Sequence, residues 1–210
     1  MAADDIGAVC ASLGLQASAE QQERLAAYLD LLQRWNATYN LTAVRDRPAM
    51  LSQHLADCLA VVKPLLSRLI AGRLLDVGSG GGLPGVVLAA LVPGLDVTCV
   101  DTVGKKAAFI RQVAGQLALT NLHAAHARVE ALQAPAFDVI TSRAFASLVD
   151  FTSLTAHLLA PGGVWMAMKG KRPDDELSAL SAAVNVFHVE QLCVPGLDAD
   201  RCLVWMRPAP

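Results

Sequence analysis

From Ser18 to Tyr39 the apolar residues Leu25, Tyr28, Leu29, Leu32 and Trp35 recur at three- and four-residue spacing, which predicts a helix with one buried face. Ser18 and Gln21 form an S-x-x-Q pair suited to a capping box at its start. A shorter helix is expected before it, from Asp4 to Leu13, ending near Gly14. The stretch YNLTAVRDRP has no period and reads as a loop. Pro48 then opens another helix, expected to run to about Val62 and to be stopped by Pro64. Residues 1–70 therefore read as a helical N-terminal extension.

After Arg73 the pattern changes. Short apolar runs (RLLDVG, DVTCVD, LHAAHA, FDVITSR, GVWMAMKG, VNVFHVEQL and CLVWMRP) alternate with helix candidates near 84–91, 104–118, 147–159 and 174–182. Such alternation implies an α/β domain with a doubly wound, mostly parallel sheet. The last two runs have no helix between them, and VPGLDADR reads as a hairpin connection. Residues 71–210 are thus expected to form a seven-stranded sheet whose last strand is antiparallel.

Between the strand RLLD and the helix that Pro84 is expected to begin lies VGSGGGLPG. A glycine-rich strand-to-helix turn lets a ligand approach the backbone and presents unpaired amides at a helix N-terminus. Gly80, Gly82 and Gly85 satisfy G-x-G-x-x-G, a dinucleotide pattern that alone discriminates poorly. The fuller pattern is Asp76-x-Gly78-x-Gly80-x-Gly82, with Asp101 ending the next strand, where a carboxylate can accept ribose hydroxyls. The alternative is a tight turn whose glycines serve packing only. It would leave their conformational cost without return.

The acid, the spaced glycines and the second strand-terminal acid resemble the signature of the Rossmann-like class I S-adenosylmethionine methyltransferases. By that layout HARVE places Val129 and Glu130 beside the adenine. The fourth strand delivers Ser142, Arg143 and Ala144 to the rim where methyl group and acceptor meet. Amino-directed adenine methyltransferases carry Asn/Asp-Pro-Pro-aromatic after this strand, where this chain has TSRAFAS. Pyrimidine-carbon enzymes use a nearby cysteine, and none lies between Cys99 and Cys193. An amine or hydroxyl acceptor would want a general base, and TSRAFAS contains neither histidine nor carboxylate. A purine N7 has a free in-plane lone pair and needs alignment alone, which can contribute roughly 7–11 kcal/mol. Arg143 would then position groups or offset phosphate charge, the alternative being an ion pair with a neighbouring acid.

Taken together, LLDVGSGGGLPG, VDTVGKKAAFIRQV, ARVE, ITSRAFASL and MKG, with WNATYNLT and HLADCL before them, resemble the RsmG family, also called GidB. The resemblance covers nearly the whole chain. It implies methyl transfer from S-adenosyl-L-methionine to N7 of a guanosine in the decoding region of 16S ribosomal RNA, free or within the small subunit or a precursor. Carried over by position, Gly78, Gly80 and Leu83 are implied contacts of the cofactor loop. Asp101 would hold the ribose, Val129 and Glu130 would flank the adenine, and Arg143 would stand at the junction of donor and acceptor.

Charge adds a candidate RNA face. Residues 101–172 hold eight basic side chains against four acidic ones, on a chain of net charge -2. That asymmetry suits a polyanionic partner, although solvated helix faces would produce it too. Lys105 and Lys106 open a helix just past Asp101, where cations oppose the helix dipole, a hint of phosphate contact. Lys169, Lys171 and Arg172 follow the fifth strand and are candidates to grip RNA backbone. Arg45 and Arg47 form a third candidate patch. His54 and Asp57 share a helix face, as a local pair or as substrate contacts if that helix lines the cleft. Phe145 or Tyr39 could stack on a flipped base, or be buried. Trp35, Trp165 and Trp205 are expected in the core.

The chain is 54% hydrophobic, yet no apolar run approaches the roughly 18 residues of a membrane helix. Met1 to Asp5 is acidic and lacks a secretory layout. Five cysteines without C-x-x-C spacing fit small core residues in a reducing cytosol, and no histidine has metal-ligand spacing. A cytoplasmic monomer without metal is expected. Alternatives are a small-molecule methyltransferase, which would need a closed apolar pocket, and a NAD-binding module.

Overall fold

The computed structural model describes residues 3–210, so Met1 and Ala2 of the acidic start lie outside it. Its centre is a seven-stranded sheet in the order β3-β2-β1-β4-β5-β7-β6. The strands are β1 (Gly72–Val77), β2 (Leu95–Asp101), β3 (Leu122–His126), β4 (Phe137–Arg143), β5 (Leu159–Lys169), β6 (Val184–Leu192) and β7 (Arg201–Pro208). Neighbours from β3 to β5 pair in parallel. β7 runs antiparallel to both β5 and β6, between which it lies. The expected sheet is present with the final strand reversed, because the short connection after β6 cannot carry a crossover.

The central strands are buried almost throughout, since helices cover both faces of the sheet. Helix α1 (Ala3–Ser12) precedes α2 (Ala19–Tyr39). The predicted capping box is formed: the Gln21 amide donates to Ser18 Oγ at 3.2 Å and the Ser18 amide donates to Gln21 Oε1 at 2.9 Å. Gln21 Nε2 also donates to the carbonyls of Ala90 and Leu91, satisfying terminal acceptors of the helix that follows β1. Leu25, Tyr28, Leu29 and Leu32 of α2 share one hydrophobic cluster with Val86, Leu88, Phe109 and Ile110. The N-terminal helices and the sheet thus have a common core.

The segment expected as one helix from Pro48 to Val62 is broken into pieces. Asp46 caps α3 (Arg47–Met50) by accepting from the Ala49 amide at 2.9 Å. A wide π-type turn, Leu51–Ala56, follows, then α4 (Asp57–Leu59). Pro64 does not stop a helix. It lies in the first turn of α5 (Val62–Leu66), where its missing N–H leaves no bond unmade. Pro84 stands one position before α6 (Gly85–Leu91), at its N-cap and not its first residue. The remaining helices are α7 (Gly104–Gln116), α8 (Leu148–Thr155) and α9 (Asp174–Ser178), the last shorter than its pattern suggested.

Four of the five cysteines are buried as expected, but Cys193, on the β6–β7 connection, is exposed. Trp165 and Trp205 are in the core, whereas Trp35 is half-buried between Tyr39 and Phe109. Among the described residues no helix is long and apolar enough to cross a membrane.

Candidate active site

Every parallel strand points its carboxyl end at the same edge of the sheet, and the loops there enclose two clefts. The larger, about 530 Å³, is lined by loop residues Gly78, Ser79, Gly80, Gly81 and Leu83. Thr42, Gln53, His54, Asp57, Arg143, Lys169 and Arg201 face it from the other sides. The smaller, about 230 Å³, is lined by Gly78, Val100, Asp101, Val103, Lys106, Val129 and Phe145. Gly78 and Ala144 belong to both, so the clefts meet at the tips of β1 and β4.

The glycine loop is held from below and from behind. Asp76 is fully buried at the end of β1, and its Oδ2 accepts the Gly85 amide at 2.8 Å. Burial pushes the Asp76 carboxyl up to about 7, with the Gly85 bond and the Arg143 charge opposing. A Cβ on Gly85 would stand 2.4 Å from Cys99 Sγ and 2.9 Å from Asp76 Oδ2, so this position admits only glycine. Gly78 has φ of +66°, and Phe145 packs directly on it. From behind, the buried Tyr28 hydroxyl donates to the Gly81 carbonyl at 2.7 Å, so a residue of α2 sets the loop's height.

Asp101 ends β2 and is buried. Its Oδ2 accepts the Gly80 amide at 3.0 Å, its Oδ1 accepts the Val103 amide at 2.8 Å, and Lys106 Nζ lies 3.6 Å from Oδ2. A carboxylate oxygen has two lone pairs, so each retains capacity for a ligand hydroxyl. Two further oxygens under the loop, Asp76 Oδ1 and Ser79 Oγ, are buried without a hydrogen-bond partner in the chain. Of the two only Ser79 lines a cleft, so a polar ligand group over the loop would meet one oxygen already desolvated. Val129 is buried on the wall of the smaller cleft. Glu130 is exposed, pairs with Arg128 at 3.0 Å and lines neither cleft.

Arg143, at the tip of β4, reaches across to the N-terminal helices. Its Nη1 donates to Asp57 Oδ2 at 3.1 Å and to the Gln53 carbonyl at 3.2 Å. Asp57, only 2% exposed, also accepts Arg201 Nε on Oδ1 at 2.9 Å. One buried carboxylate is thus clamped between two guanidiniums. Burial alone would pull the Arg143 guanidinium down, but Asp57 and neighbouring groups hold it above its ordinary range. His54 and Asp57 do line the cleft, because the π-type turn carries both toward Arg143. Arg201 has no local signal in the sequence, and Thr42 stands out only as the last residue of WNATYNLT, which gave it no role. Only the pairing of β7 with β5 and the loop after α2 bring them in.

The basic candidates divide. Lys169 lines the larger cleft, but its Nζ is bound by Glu176 at 2.8 Å and by the Ala146 carbonyl. Arg172 pairs with Asp174 at 2.7 Å. With Lys106, Arg128 and Arg143, five of the eight basic residues between 101 and 172 have a carboxylate partner. Lys105, Arg111 and Lys171 have none among the described residues, and Lys171 follows Gly170 on the cleft wall. Arg47 pairs with Asp30 and donates to the Ala26 carbonyl at 3.1 Å, which staples α3 to α2, while Arg45 is exposed. Phe145 faces the smaller cleft, and Tyr39 lines neither cleft but a separate groove with Trp35 and Gln112.

The fold is similar to that of solved methyltransferase structures. The chain superposes on TrmN from Thermus thermophilus with a TM-score of 0.57 at 21% identity, over 76% of this chain and 53% of that one. It superposes on the N-methyltransferase NodS from Bradyrhizobium japonicum with a TM-score of 0.55 at 17% identity, over 80% of this chain and all of that one. The fold is that of a class I methyltransferase. Residues 21–204 match the model of the GidB family, described as rRNA small subunit methyltransferase G. A ribosomal RNA small subunit methyltransferase G from Leptothrix cholodnii is 61% identical over 209 residues, spanning 98% of this chain and 95% of that protein. The chain belongs to the GidB family of methyltransferases.

Proposed function

We propose that this chain transfers a methyl group from S-adenosyl-L-methionine to N7 of a guanosine in the decoding region of 16S ribosomal RNA, working as a cytoplasmic monomer. One observation carries the choice of acceptor. Asp57 is the one carboxylate lining the larger cleft among the described residues, and both its oxygens are committed to arginines. An amine or hydroxyl that must lose a proton finds no free carboxylate there. A purine N7 needs only to be held in line. The polar rim of the cleft also suits a nucleotide better than the closed apolar pocket of a small-molecule enzyme.

The cofactor supplies, when bound, an electrophilic methyl group on a sulfonium. The residues present fit it. Gly78, Gly80 and Leu83 would line its path, and Ser79 Oγ, on the same cleft wall, is a buried oxygen without a partner. Asp101 would take the ribose with its remaining lone pairs, and Val129 would bound the adenine in the smaller cleft. Arg143, fixed by Asp57 and the Gln53 carbonyl, would position the acceptor base. Glu130 would act from outside, if at all, through the Arg128 pair.

Labelled donor incubated with 16S ribosomal RNA, free and in assembled small subunits, should place label on N7 of one guanosine. Label on an exocyclic amine, a ribose or only small metabolites would overturn the assignment. Lys171→Ala should weaken RNA binding and flatten the log–log salt dependence by about one unit, with donor affinity unchanged. Lys105→Ala should behave alike if that helix also meets phosphate. Lys169→Ala should instead cost about 1 kcal/mol of stability, because it removes a partly exposed ion pair with Glu176, which keeps only the Leu148 amide. Arg172, tied to Asp174, should matter less for RNA than Lys171. Filter binding at several salt concentrations, alongside thermal melts, checks all four.

A further inference from the structure

His54 stands against the edge of the Arg143 guanidinium. Its Nε2 lies 2.6 Å from Thr42 Oγ1, and its Nδ1 lies 3.4 Å from both Nη1 and Nη2 of Arg143. Nδ1 faces the two Arg143 donors at 3.4 Å and the Gln53 carbonyl at 3.1 Å, so both neutral tautomers satisfy these contacts; the one with the proton on Nε2, where Thr42 accepts it, leaves Nδ1 open to Arg143. Thr42 is itself anchored: its amide donates to Asn36 Oδ1 at 2.8 Å, and Oγ1 receives the Val44 amide at 3.2 Å. The π-type turn, whose extra width is an uncommon helical geometry, sets the ring at this point.

Resting on the methyl-transfer reading above, we propose that His54 is a positioning residue for the transfer step. Held by Thr42, its neutral ring receives Arg143 and fixes the guanidinium at the cleft wall; gaining a proton, it releases Arg143. The Gln53 carbonyl makes the second state specific. It accepts Arg143 Nη1 at 3.2 Å and lies 3.1 Å from His54 Nδ1. A protonated Nδ1 must donate, so it competes with Arg143 for that oxygen and adds a second cation beside the guanidinium.

The surrounding charges fix the sign. Arg143 faces His54 from β4, Asp57 from the following turn, and Arg201 reaches Asp57 from β7. Lys169 of β5 lines the same cleft but is occupied by Glu176. Burial and the Arg143 charge hold the imidazole below the ordinary histidine range, against the Gln53 carbonyl and Asp57. The ring is therefore neutral at neutral pH and charges only on acidification, so the productive state is lost as pH falls.

Transfer kinetics on assembled small subunits, from about pH 5 to pH 8, test this together with an imidazole titration followed by NMR. The wild-type kcat should fall along one protonation as pH drops, with KM for the subunit changing less than about twofold. His54→Gln keeps an acceptor without a titration, so its acid limb should disappear, with kcat at pH 8 down about tenfold. Thr42→Val should lower kcat and Thr42→Ser should restore it. In Arg143→Gln the His54 titration should move upward, a readout independent of activity. An acid limb surviving in His54→Gln, or a His54 titration that ignores Arg143→Gln, overturns the role of His54 alone. Absence of guanosine methylation by the wild type overturns the proposed function, and this role with it.

Discussion

An Asp57→Ala variant should lose about 3 kcal/mol of stability and most of its methyl transfer. The carboxylate is 3% exposed while its arginine partners are 21% and 26% exposed, so both cations keep some water. Removing one member of a buried pair costs about 3–5 kcal/mol, and that partial exposure favours the lower end. In a chain of this size the loss corresponds to a melting point lower by roughly 6–12 °C. Asp57→Asn keeps the volume and one acceptor and should fall between. Thermal unfolding with donor-binding and transfer assays separates the effects: donor affinity should survive where the fold survives, because Asp57 touches neither the glycine loop nor Asp101. A melting point within about 2 °C of wild type would mean that the two arginines do not depend on this carboxylate.

Asp101→Ala should weaken S-adenosylmethionine binding by about 1–3 kcal/mol, roughly a fivefold to 150-fold loss. The expected ribose contact is only part of the reason. The same carboxylate holds the Gly80 and Val103 amides and neighbours Lys106, so its removal frees the loop and the start of α7 together. Asp101→Asn retains acceptor capacity and should lose less. Calorimetric titration of the donor checks both, and equal affinity in wild type and Asp101→Ala would remove Asp101 from the binding site. The stability of Asp101→Ala should also drop, since two backbone donors lose their partner.

What could be read from the sequence is what depends on near neighbours along it. The Ser18–Gln21 cap, the glycine turn after β1, the acid ending β2 and the reversal of β7 are local patterns, and the structure has each of them. The sheet followed because strand and helix runs alternate with a period that tolerates errors at element ends. The misreadings are also physical. The position of Pro64 after an apolar run suggests a stop, but a proline is equally compatible with a first turn. The π-type turn at Leu51–Ala56 has no sequence marker, because its residues would serve a regular helix as well. The expected basic patch thinned out because ion pairs such as Lys169–Glu176 and Arg143–Asp57 depend on folding, and charge counts cannot see them. Arg201 was missed for the same reason: it meets Asp57 across 144 positions of chain.

That long reach has a consequence for how the enzyme matures. Tyr28, Asp57, Arg143 and Arg201 come from two helices and two strands, and Arg201 reaches Asp57 only with β7 seated between β5 and β6. A half-finished chain can own its glycine turn and still lack the clamp opposite it. The clamp therefore depends on the whole fold, and losing β7 would leave the glycine turn without the second arginine of the clamp opposite it.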